Sequence, residues 1–203
     1  MIQFVRIVAL LFCINCYGQN ADINLLKSIN HSYTPIGGTS FKIITESINP
    51  IALGLPLGLF IGGKVSKNQE MVFNSYEIAS ATLVNGIFTT ALKLSVQRVR
   101  PFDSYPTEIT KYTKAGSHSF PSGHTSMAFS TATSISILYP KWYIIVPAYA
   151  WACGIGYSRM YLGVHYPTDV LFGALIGSAS SIGTHYLFKY IKRKHSEKIG
   201  YKI

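Results

Sequence analysis

The sequence is poor in charge, in acidic residues and in cysteine. Only 13% of its 203 residues are charged, about half the share found in an average soluble protein, and eight of them are Asp or Glu. No acidic cluster suits a divalent metal, and no zinc-finger spacing or other nucleic-acid motif accompanies the basic residues. We therefore expect no metal, no other cofactor and no nucleic-acid partner.

The three cysteines are Cys13, Cys16 and Cys153. The first two lie in an amino-terminal leader, Met1–Gln19, in which a basic residue precedes a short apolar run. This layout is typical of a secretory signal peptide, and an uncleaved first membrane helix is the alternative. Removal of the leader would leave a single thiol and no intramolecular disulfide. We expect Cys153, within an apolar run, to be a small core residue.

Hydrophobic residues make up 48% of the chain and are concentrated after residue 47. We interpret residues 20–47 as an exported linker that leads into a surface or interfacial helix, and residues 48–203 as the main domain. Ser, Thr and Gly within the apolar segments are typical of closely packed membrane helices. The sequence predicts an all-α, membrane-embedded bundle of about five transmembrane helices without a sheet. The five segments are Ile48–Gly63, Met71–Leu94, Ser126–Tyr139, Tyr143–Tyr157 and Val170–Ile191.

The net charge of +10 is distributed unevenly along the chain. If residue 20 lies outside the membrane, alternation of the five segments places Lys64, Lys67, Lys141 and a basic tail from about residue 189 in the cytoplasm. That arrangement follows the positive-inside rule. Charges that break the rule are functional candidates, because a charge near the membrane is costly. Among the basic residues near the ends of the segments, those that do so lie at the exported end: Lys93, Arg98, Arg100 and Arg159.

Three motifs lie at this exported end. The first reads KLSVQRVRP from Lys93 to Pro101, and the second reads SFPSGHTS from Ser119 to Ser126. In the second, Gly123 lets the amino terminus of a helix approach an anion closely, and the neighbouring His can act as an acid or a base.

The third motif, SRMYLGVHYPTD, runs from Ser158 to Asp169. The carboxylate of Asp169 can reach back to one ring nitrogen of His165 and leave the other nitrogen free to attack. Arg159 adds a planar fork of donors that suits phosphate oxygens. Together these residues indicate phosphoryl transfer to a histidine.

Each motif alone also has an ordinary structural interpretation. Lys93 and Arg98 are placed to extend toward the lipid headgroups, and Arg98 fits this better than Arg100, which a rigid proline follows. Ser122 is equally suited to be an N-cap, and a His and an Asp four residues apart often meet by chance. Four further residues receive no catalytic role. His118 is expected to be a loop residue, and Glu77 is expected to be buried and to pair with a polar group. The sequence shows no convergent partner for His31 and His185.

Taken in order along the chain, the three motifs resemble the signature of the type 2 phosphatidic acid phosphatase superfamily. In this signature they read K-x6-RP, PSGH and SR-x5-H-x3-D. That superfamily includes membrane lipid phosphatases, bacterial acid phosphatases and vanadium haloperoxidases. The resemblance covers roughly Met71 to Phe188 and implies the family's helical core.

The resemblance also implies roles for individual residues. His165 would be the nucleophile that forms a phosphohistidine, Asp169 would hold its ring, and His124 would protonate the leaving group and then activate water. Fixed cations would neutralise the phosphoryl oxygens in place of a metal. The implied phosphate-binding residues are Lys93, Arg100, Ser122, Gly123 and Arg159.

Membrane embedding favours a lipid phosphate or diphosphate as substrate, hydrolysed at the periplasmic face of a bacterial inner membrane. Candidate substrates are undecaprenyl diphosphate, phosphatidate, phosphatidylglycerol phosphate and lipid A. A secreted soluble acid phosphatase, a vanadium-dependent haloperoxidase and a non-enzymatic membrane scaffold are the alternatives. The sequence makes no prediction of oligomeric state.

Overall fold

The computed structural model describes residues 20–198, and every regular element in that range is a helix. The predicted leader, Met1–Gln19, and the last five residues of the basic tail lie outside the described residues. The all-α prediction is confirmed. The helices are α1 (residues 20–31), α2 (Pro35–Glu46), α3 (Ile48–Val65), α4 (Gln69–Val96), α5 (Pro101–Ser104), α6 (Gly123–Leu138), α7 (Trp142–Tyr161) and α8 (Pro167–Lys198).

Each of the five predicted apolar segments forms one long helix: α3, α4, α6, α7 and α8. Within the described residues, two stretches are long and apolar enough to cross a membrane by themselves, Pro35–Val65 and Pro167–Lys194. Of the other long helices, α6 has only 16 residues and is rich in Ser, Thr and Ala. These small side chains are where neighbouring helices pack against each other.

Helix α6 lies at the centre of the bundle and packs against α4, α7 and α8. Most of its buried side chains are Ser, Thr or Ala, so its neighbours can approach its backbone closely. On α8, Gly173 and Gly177 face this backbone one turn apart. A Cβ at Gly173 would lie 2.7 Å from the carbonyl oxygen of Ser122, and one at Gly177 would overlap the backbone of Ser126. The close contact between α6 and α8 therefore depends on these two glycines.

Large apolar side chains cover the outer faces of the long helices. Contiguous apolar surface of this extent suits lipid rather than water. Cys153 also lies exposed on α7, so the prediction of a core cysteine is wrong; its run is apolar because it faces outward. The exposed apolar residues include Leu53, Leu57, Ile61, Leu83, Ile87, Val146, Leu171, Leu175 and Ile182.

The predicted linker, residues 20–47, is folded into helices α1 and α2. Thr34 caps α2 by accepting a hydrogen bond from Gly37 N, and a proline occupies the first turn. Asn30 of α1 is buried, exchanges hydrogen bonds with both backbone groups of Thr110, and donates to the carbonyl oxygen of Tyr161. Its amide thus ties α1 to the loop after α5 and to the end of α7. No sequence pattern predicts this docking, because the partners of Asn30 lie 80 and 131 residues away.

The end of α4, the start of α6, the end of α7 and the start of α8 meet at one end of the bundle. Backbone hydrogen bonds join the segments there: Ser119 N to Arg98 O at 2.8 Å, and Ser122 N to Asp169 O at 3.0 Å. All three motifs therefore lie at the same end of the molecule, which we call the charged end.

Candidate active site

The charged end holds a cluster of buried cations. Arg100 is 5% exposed and donates from Nη1 to Val164 O at 2.7 Å, from Nε to two backbone carbonyls, and from Nη2 to His118 O at 3.2 Å. Lys93 donates from Nζ to the same carbonyl oxygen at 2.8 Å. The loop residue His118 therefore contributes its backbone oxygen, which holds two of the cations side by side.

Arg159, the third cation, is 3% exposed. Its Nη1 donates to Thr45 Oγ1 of α2 at 2.9 Å, whereas its Nε has no hydrogen-bond partner among the described residues. A buried guanidinium with an unpaired donor is poorly satisfied, and an anion would complete its hydrogen bonds. We call Lys93, Arg100, Arg159, His124 and His165 together the cationic pocket.

His165 lies between a cation and a carboxylate. Its Nε2 is 3.3 Å from Arg100 Nη1, and its Nδ1 is 3.4 Å from Asp169 Oδ2. Because guanidinium nitrogens only donate, Nε2 must accept, and the proton of the neutral ring is then on Nδ1, facing Asp169. The contact at Nδ1 is long and not aligned as a hydrogen bond, as is common before a substrate tightens a site.

The ring of His165 is held in its neutral form. Burial lowers its pKa to about 3, and the positive charges of Arg100 and Arg159 act in the same direction, against the opposing effect of Asp169. A neutral imidazole with its lone pair on Nε2 is the form that can attack phosphorus. Arg100 Nη1 donates to that lone pair, so the guanidinium and the imidazole lie in direct contact.

Asp169 is fully buried and its carboxylate is held by several donors. Arg98 Nη1 donates to Oδ1 at 2.7 Å, while Ser119 Oγ at 2.5 Å and Tyr166 N at 2.9 Å donate to Oδ2. These bonds fix the carboxylate beside the ring of His165. They also stabilise its charged form, so that it holds the Nδ1 proton without removing it.

The second motif forms the wall of the cationic pocket at the start of α6. Ser122 is the N-cap residue by position, but its hydroxyl bonds to Thr125 Oγ1 at 2.9 Å and caps no backbone N–H. The alternative of an ordinary serine cap is therefore wrong. Gly123 faces Lys93, whose Cε would lie 3.9 Å from a Cβ at that position. The first N–H groups of α6 have no side-chain cap, as an anion site requires.

His124 stands in the first turn of α6, before the predicted span Ser126–Tyr139. Burial lowers its pKa to about 4, and Arg159, Arg100 and Lys93 lower it further by repulsion, in that order. All three cations of the pocket therefore act on this ring. The structure thus brings together all eight residues that the sequence analysis selected: Lys93, Arg100, Ser122, Gly123, His124, Arg159, His165 and Asp169.

Several residues without a predicted catalytic or phosphate-binding role support the site. Arg98 does not extend toward the headgroups; it bonds to Asp169 and, through Nη2, to Asp22 of α1 at 2.7 Å. The interpretation of Arg98 as a headgroup-facing side chain is therefore wrong. Ser119, inside the second motif, could have been recognised by its position, whereas no sequence signal links Asp22 to a residue 146 positions later.

Two residues that received no catalytic role are paired with each other. His185 Nδ1 lies 2.8 Å from Glu77 Oε1, joining α8 to α4 away from the charged end. The statement that His185 lacks a convergent partner is wrong, because a contact 108 residues apart leaves no trace in a sequence pattern. Among the residues searched within the described chain, no group of three or more His, Cys, Asp or Glu is placed to hold a metal.

Comparison with known proteins gives one family. A profile of the PAP2 superfamily matches residues 76–193. The chain is 35% identical over 86 residues to the undecaprenyl-diphosphatase of Sulfolobus acidocaldarius, and 33% identical over 86 residues to the lipid A 4'-phosphatase of Bacteroides thetaiotaomicron. Each match covers 42% of this chain but only 41% and 36% of those proteins' own length.

A longer match is to the bacitracin transport permease protein BcrC of Bacillus licheniformis. It is 32% identical over 159 residues, which is 77% of this chain and 74% of that protein.

Two solved structures share the fold. LpxE of Aquifex aeolicus aligns with a TM-score of 0.69 and 27% identity over 82% of this chain and 95% of its own. A transmembrane PAP2-type phosphatidylglycerolphosphate phosphatase of Bacillus subtilis aligns with a TM-score of 0.71 over 94% of both chains. At 24% identity, the second likeness concerns the fold alone.

Proposed function

Because the chain belongs to the PAP2 superfamily, we propose that it is a phosphatase of membrane lipid phosphates that works through a phosphohistidine on His165. One observation carries the proposal. The buried, neutral ring of His165 lies between Asp169 at 3.4 Å and Arg100 at 3.3 Å, within a cluster of three cations. A nucleophile in a fixed tautomer beside bound positive charge is what phosphoryl transfer needs.

In the first step, Nε2 of His165 attacks phosphorus while Lys93, Arg100 and Arg159 neutralise the phosphoryl oxygens. A P–N bond forms, the bond from phosphorus to the lipid oxygen breaks, and His124 donates its proton to the leaving oxygen. The negative charge of the bound phosphoryl group raises the low pKa of His124, so the acid is formed where it is used.

In the second step, water replaces the lipid product. His124, now neutral, takes a proton from the water, the water oxygen bonds to phosphorus, and the P–N bond breaks. Inorganic phosphate is released and His165 returns to its neutral form. Asp169 holds Nδ1–H throughout and stabilises the positive charge that the ring carries while it is phosphorylated.

A lipid substrate is favoured by the surface next to the cationic pocket. An apolar groove of about 440 Å³ lies between α4 and α8, lined by Phe88 and Leu92 on one side and Ile176 and Leu187 on the other. The groove reaches Leu92 in the last two turns of α4, the end of that helix which carries Lys93, so a hydrocarbon chain in the groove would extend along the bundle from the charged end. Undecaprenyl diphosphate, phosphatidate, phosphatidylglycerol phosphate and lipid A are the candidate substrates.

We further propose that the charged end faces the periplasm of a bacterial inner membrane. Lys64, Lys67 and Lys141 lie at the opposite end of the helices from the three motifs, as the positive-inside rule requires of the cytoplasmic side. Attachment of a membrane-impermeant thiol reagent in intact cells to cysteines introduced at Lys114 or Lys67 tests this orientation. Labelling of the cysteine at Lys67 alone would place the charged end in the cytoplasm and contradict this proposal.

The test of activity is phosphate release from a panel of these lipids in detergent with EDTA present. Wild-type protein should release phosphate from at least one lipid, and the His165→Ala variant should release none above background. Loss of wild-type activity in EDTA would contradict the metal-independent site. Activity found wholly in the soluble fraction after membranes are washed would favour the soluble acid phosphatase instead.

The intermediate has its own test. Rapid acid-free quenching of wild-type protein with labelled substrate should trap a phosphoryl group that is stable in alkali and labile in acid, as a phosphoramidate is. The His165→Ala variant should carry no label. Label retained in that variant would assign the nucleophile to another residue.

A further inference from the structure

Helix α1 reaches the active site through one acidic side chain. Asp22 is 4% exposed, and its two oxygens accept three hydrogen bonds: from Thr168 N at 2.9 Å, from Thr168 Oγ1 at 2.6 Å and from Arg98 Nη2 at 2.7 Å. A buried carboxylate is retained only when it is fully paired in this way. Asp22 lies outside residues 76–193, the part of the chain that matches the family profile.

Arg98 connects this carboxylate to the one beside the nucleophile. Its Nη1 donates to Asp169 Oδ1 at 2.7 Å and to Thr168 Oγ1 at 2.7 Å, and its guanidinium lies 3.8 Å above the ring of Tyr166. Burial opposes the charge, but Asp169 and then Asp22 raise the pKa of Arg98 above its ordinary value. The guanidinium is thus fixed by a carboxylate on each side and by an aromatic face.

Without Asp22, the guanidinium of Arg98 could rotate away from Asp169. A polar cavity of about 220 Å³ lies beside it, lined by Arg98, Val99, Ser104, Tyr105 and Tyr166. The side chain of Arg98 is already 25% exposed, so rotation into this cavity would return it to water. Asp169 would then lose the donor on Oδ1 and its fixed orientation toward Nδ1 of His165.

We infer that Asp22 and Arg98 are positioning residues: helix α1, acting through Arg98, holds Asp169 in the orientation that keeps Nε2 of His165 free to attack. Neither residue touches the phosphoryl group. This inference rests on the proposed function, because it concerns the nucleophile of that reaction. It assigns to the amino-terminal segment a positioning role, where the sequence predicted an exported linker that leads into a surface or interfacial helix.

The first experiment compares Asp22→Asn with Asn30→Ala. Both residues lie on α1, both are buried, and each takes part in three hydrogen bonds, but Asn30 contacts neither Arg98 nor Asp169. Asp22→Asn should lower kcat by about tenfold or more with KM little changed, as expected when a reacting group is misplaced. Asn30→Ala should lower Tm similarly and leave kcat near that of the wild type. Equal losses of kcat in both variants would overturn the inference.

The second experiment measures coupling. Arg98→Gln should lower kcat more than Asp22→Asn, and the double variant should be no worse than Arg98→Gln alone, because Asp22 acts through Arg98. Multiplicative losses in the double variant would show that Asp22 acts independently and would overturn the proposed route. If Asp22→Asn does not fold, Thr168→Val keeps both carboxylates and removes the hydroxyl that donates to Asp22 and accepts from Arg98. It should lower kcat by a smaller factor, and an unchanged kcat would contradict the inference.

A readout without substrate separates this inference from the proposed function. The ¹⁵N chemical shifts of His165 report which ring nitrogen carries the proton, and the wild type should show it on Nδ1. Asp22→Asn and Arg98→Gln should shift the signals toward a mixture of tautomers, whereas Asn30→Ala should not. If the wild type is active and the ¹⁵N shifts of His165 are the same in the wild type, Asp22→Asn and Arg98→Gln, the positioning role is refuted and the proposed function stands. If the wild type is inactive on every lipid, the proposed function is refuted, and the ¹⁵N shifts still test the positioning role.

Discussion

Two buried polar regions lie along α6, and they differ in charge and in how completely their hydrogen bonds are made. Near the middle of the bundle is a hydroxyl layer, in which Ser181 of α8 bonds to Ser130 and Ser134 of α6 at 2.9 and 3.0 Å. Thr133 of α6 bonds there to Tyr149 and Ser178. Neutral hydroxyl groups both donate and accept, so this layer satisfies itself.

The cationic pocket, at the end of the same helix, is not satisfied by protein groups. Arg159 Nε and His165 Nδ1 are two of the three buried side-chain atoms left without a hydrogen bond among the described residues; the third is Ser136 Oγ. Like charges are held together there, against their repulsion. The hydroxyl layer therefore joins helices, whereas the cationic pocket has unpaired donors that an anion could satisfy.

The largest expected effect is on activity. Replacement of His165 by Gln removes the nucleophile and should lower kcat by about 10⁴-fold or more, as loss of a nucleophile does in other enzymes. Ser181→Ala, in the hydroxyl layer, should leave kcat unchanged. Phosphate release measured on both purified variants tests this contrast. A large loss of kcat in Ser181→Ala would mean that the two regions do not have separate roles.

Arg159→Met should change activity and stability in opposite directions. Removal of one cation that stabilises the transition state should lower kcat by about 10²- to 10³-fold. Tm should rise, because the substitution removes a buried, incompletely paired charge and its repulsion of Arg100 while keeping a similar volume. Thermal unfolding in the same detergent measures the second effect. A fall in Tm would show that Arg159 stabilises the fold.

Occupation of the pocket should change the titration of His124. Its pKa of about 4 in the empty site should rise by about one unit or more when inorganic phosphate binds, because an anion favours the protonated ring. NMR titration with and without phosphate measures this shift. Lys93→Met should raise the pKa even without phosphate, since it removes one of the repelling charges. No shift on saturation with phosphate would place the anion away from His124.

Stability should depend on pH through His165. The pKa of its ring is about 3 in the folded protein and 6.5 in an ordinary setting, so below pH 6.5 the unfolded chain binds a proton that the folded one does not. The contribution of this neutral ring is therefore complete above pH 6.5 and is lost as the pH falls toward 3. Tm should fall less between pH 7 and pH 5 in His165→Gln than in wild type. An equal fall in Tm in the variant and the wild type would show that groups other than His165 cause the acid sensitivity.

The smallest effect is expected in the hydroxyl layer. Ser181→Ala removes the hydroxyl shared by Ser130 and Ser134 and should lower the free energy of unfolding by about 1 kcal/mol. Equilibrium unfolding in mixed micelles measures this loss. Ser181→Cys, of similar size but a weak hydrogen-bond donor, is the matched control for the volume and should lose nearly as much.

Much of this comparison could be predicted from the sequence, but the supporting contacts could not. The sequence predicts three cations of the pocket, because each is a charge near the end of an apolar segment and lies in a recognisable motif: Lys93, Arg100 and Arg159. Asp22 stands in no motif, and its partner Thr168 is 146 residues away. Cys153 was assigned to the core on hydropathy alone, which does not distinguish a side chain facing lipid from one facing protein.

By itself, the sequence determined the helical class and the residues of the cationic pocket. Apolar segments of helical length must satisfy their backbone hydrogen bonds internally, and charges between such segments are too costly to be incidental. Only the tertiary structure decided that α1 docks beside the pocket and that Arg98 joins Asp22 to Asp169. The physical reason is that such hydrogen bonds depend on distances between residues far apart in the chain, and these distances are set only when the helices pack.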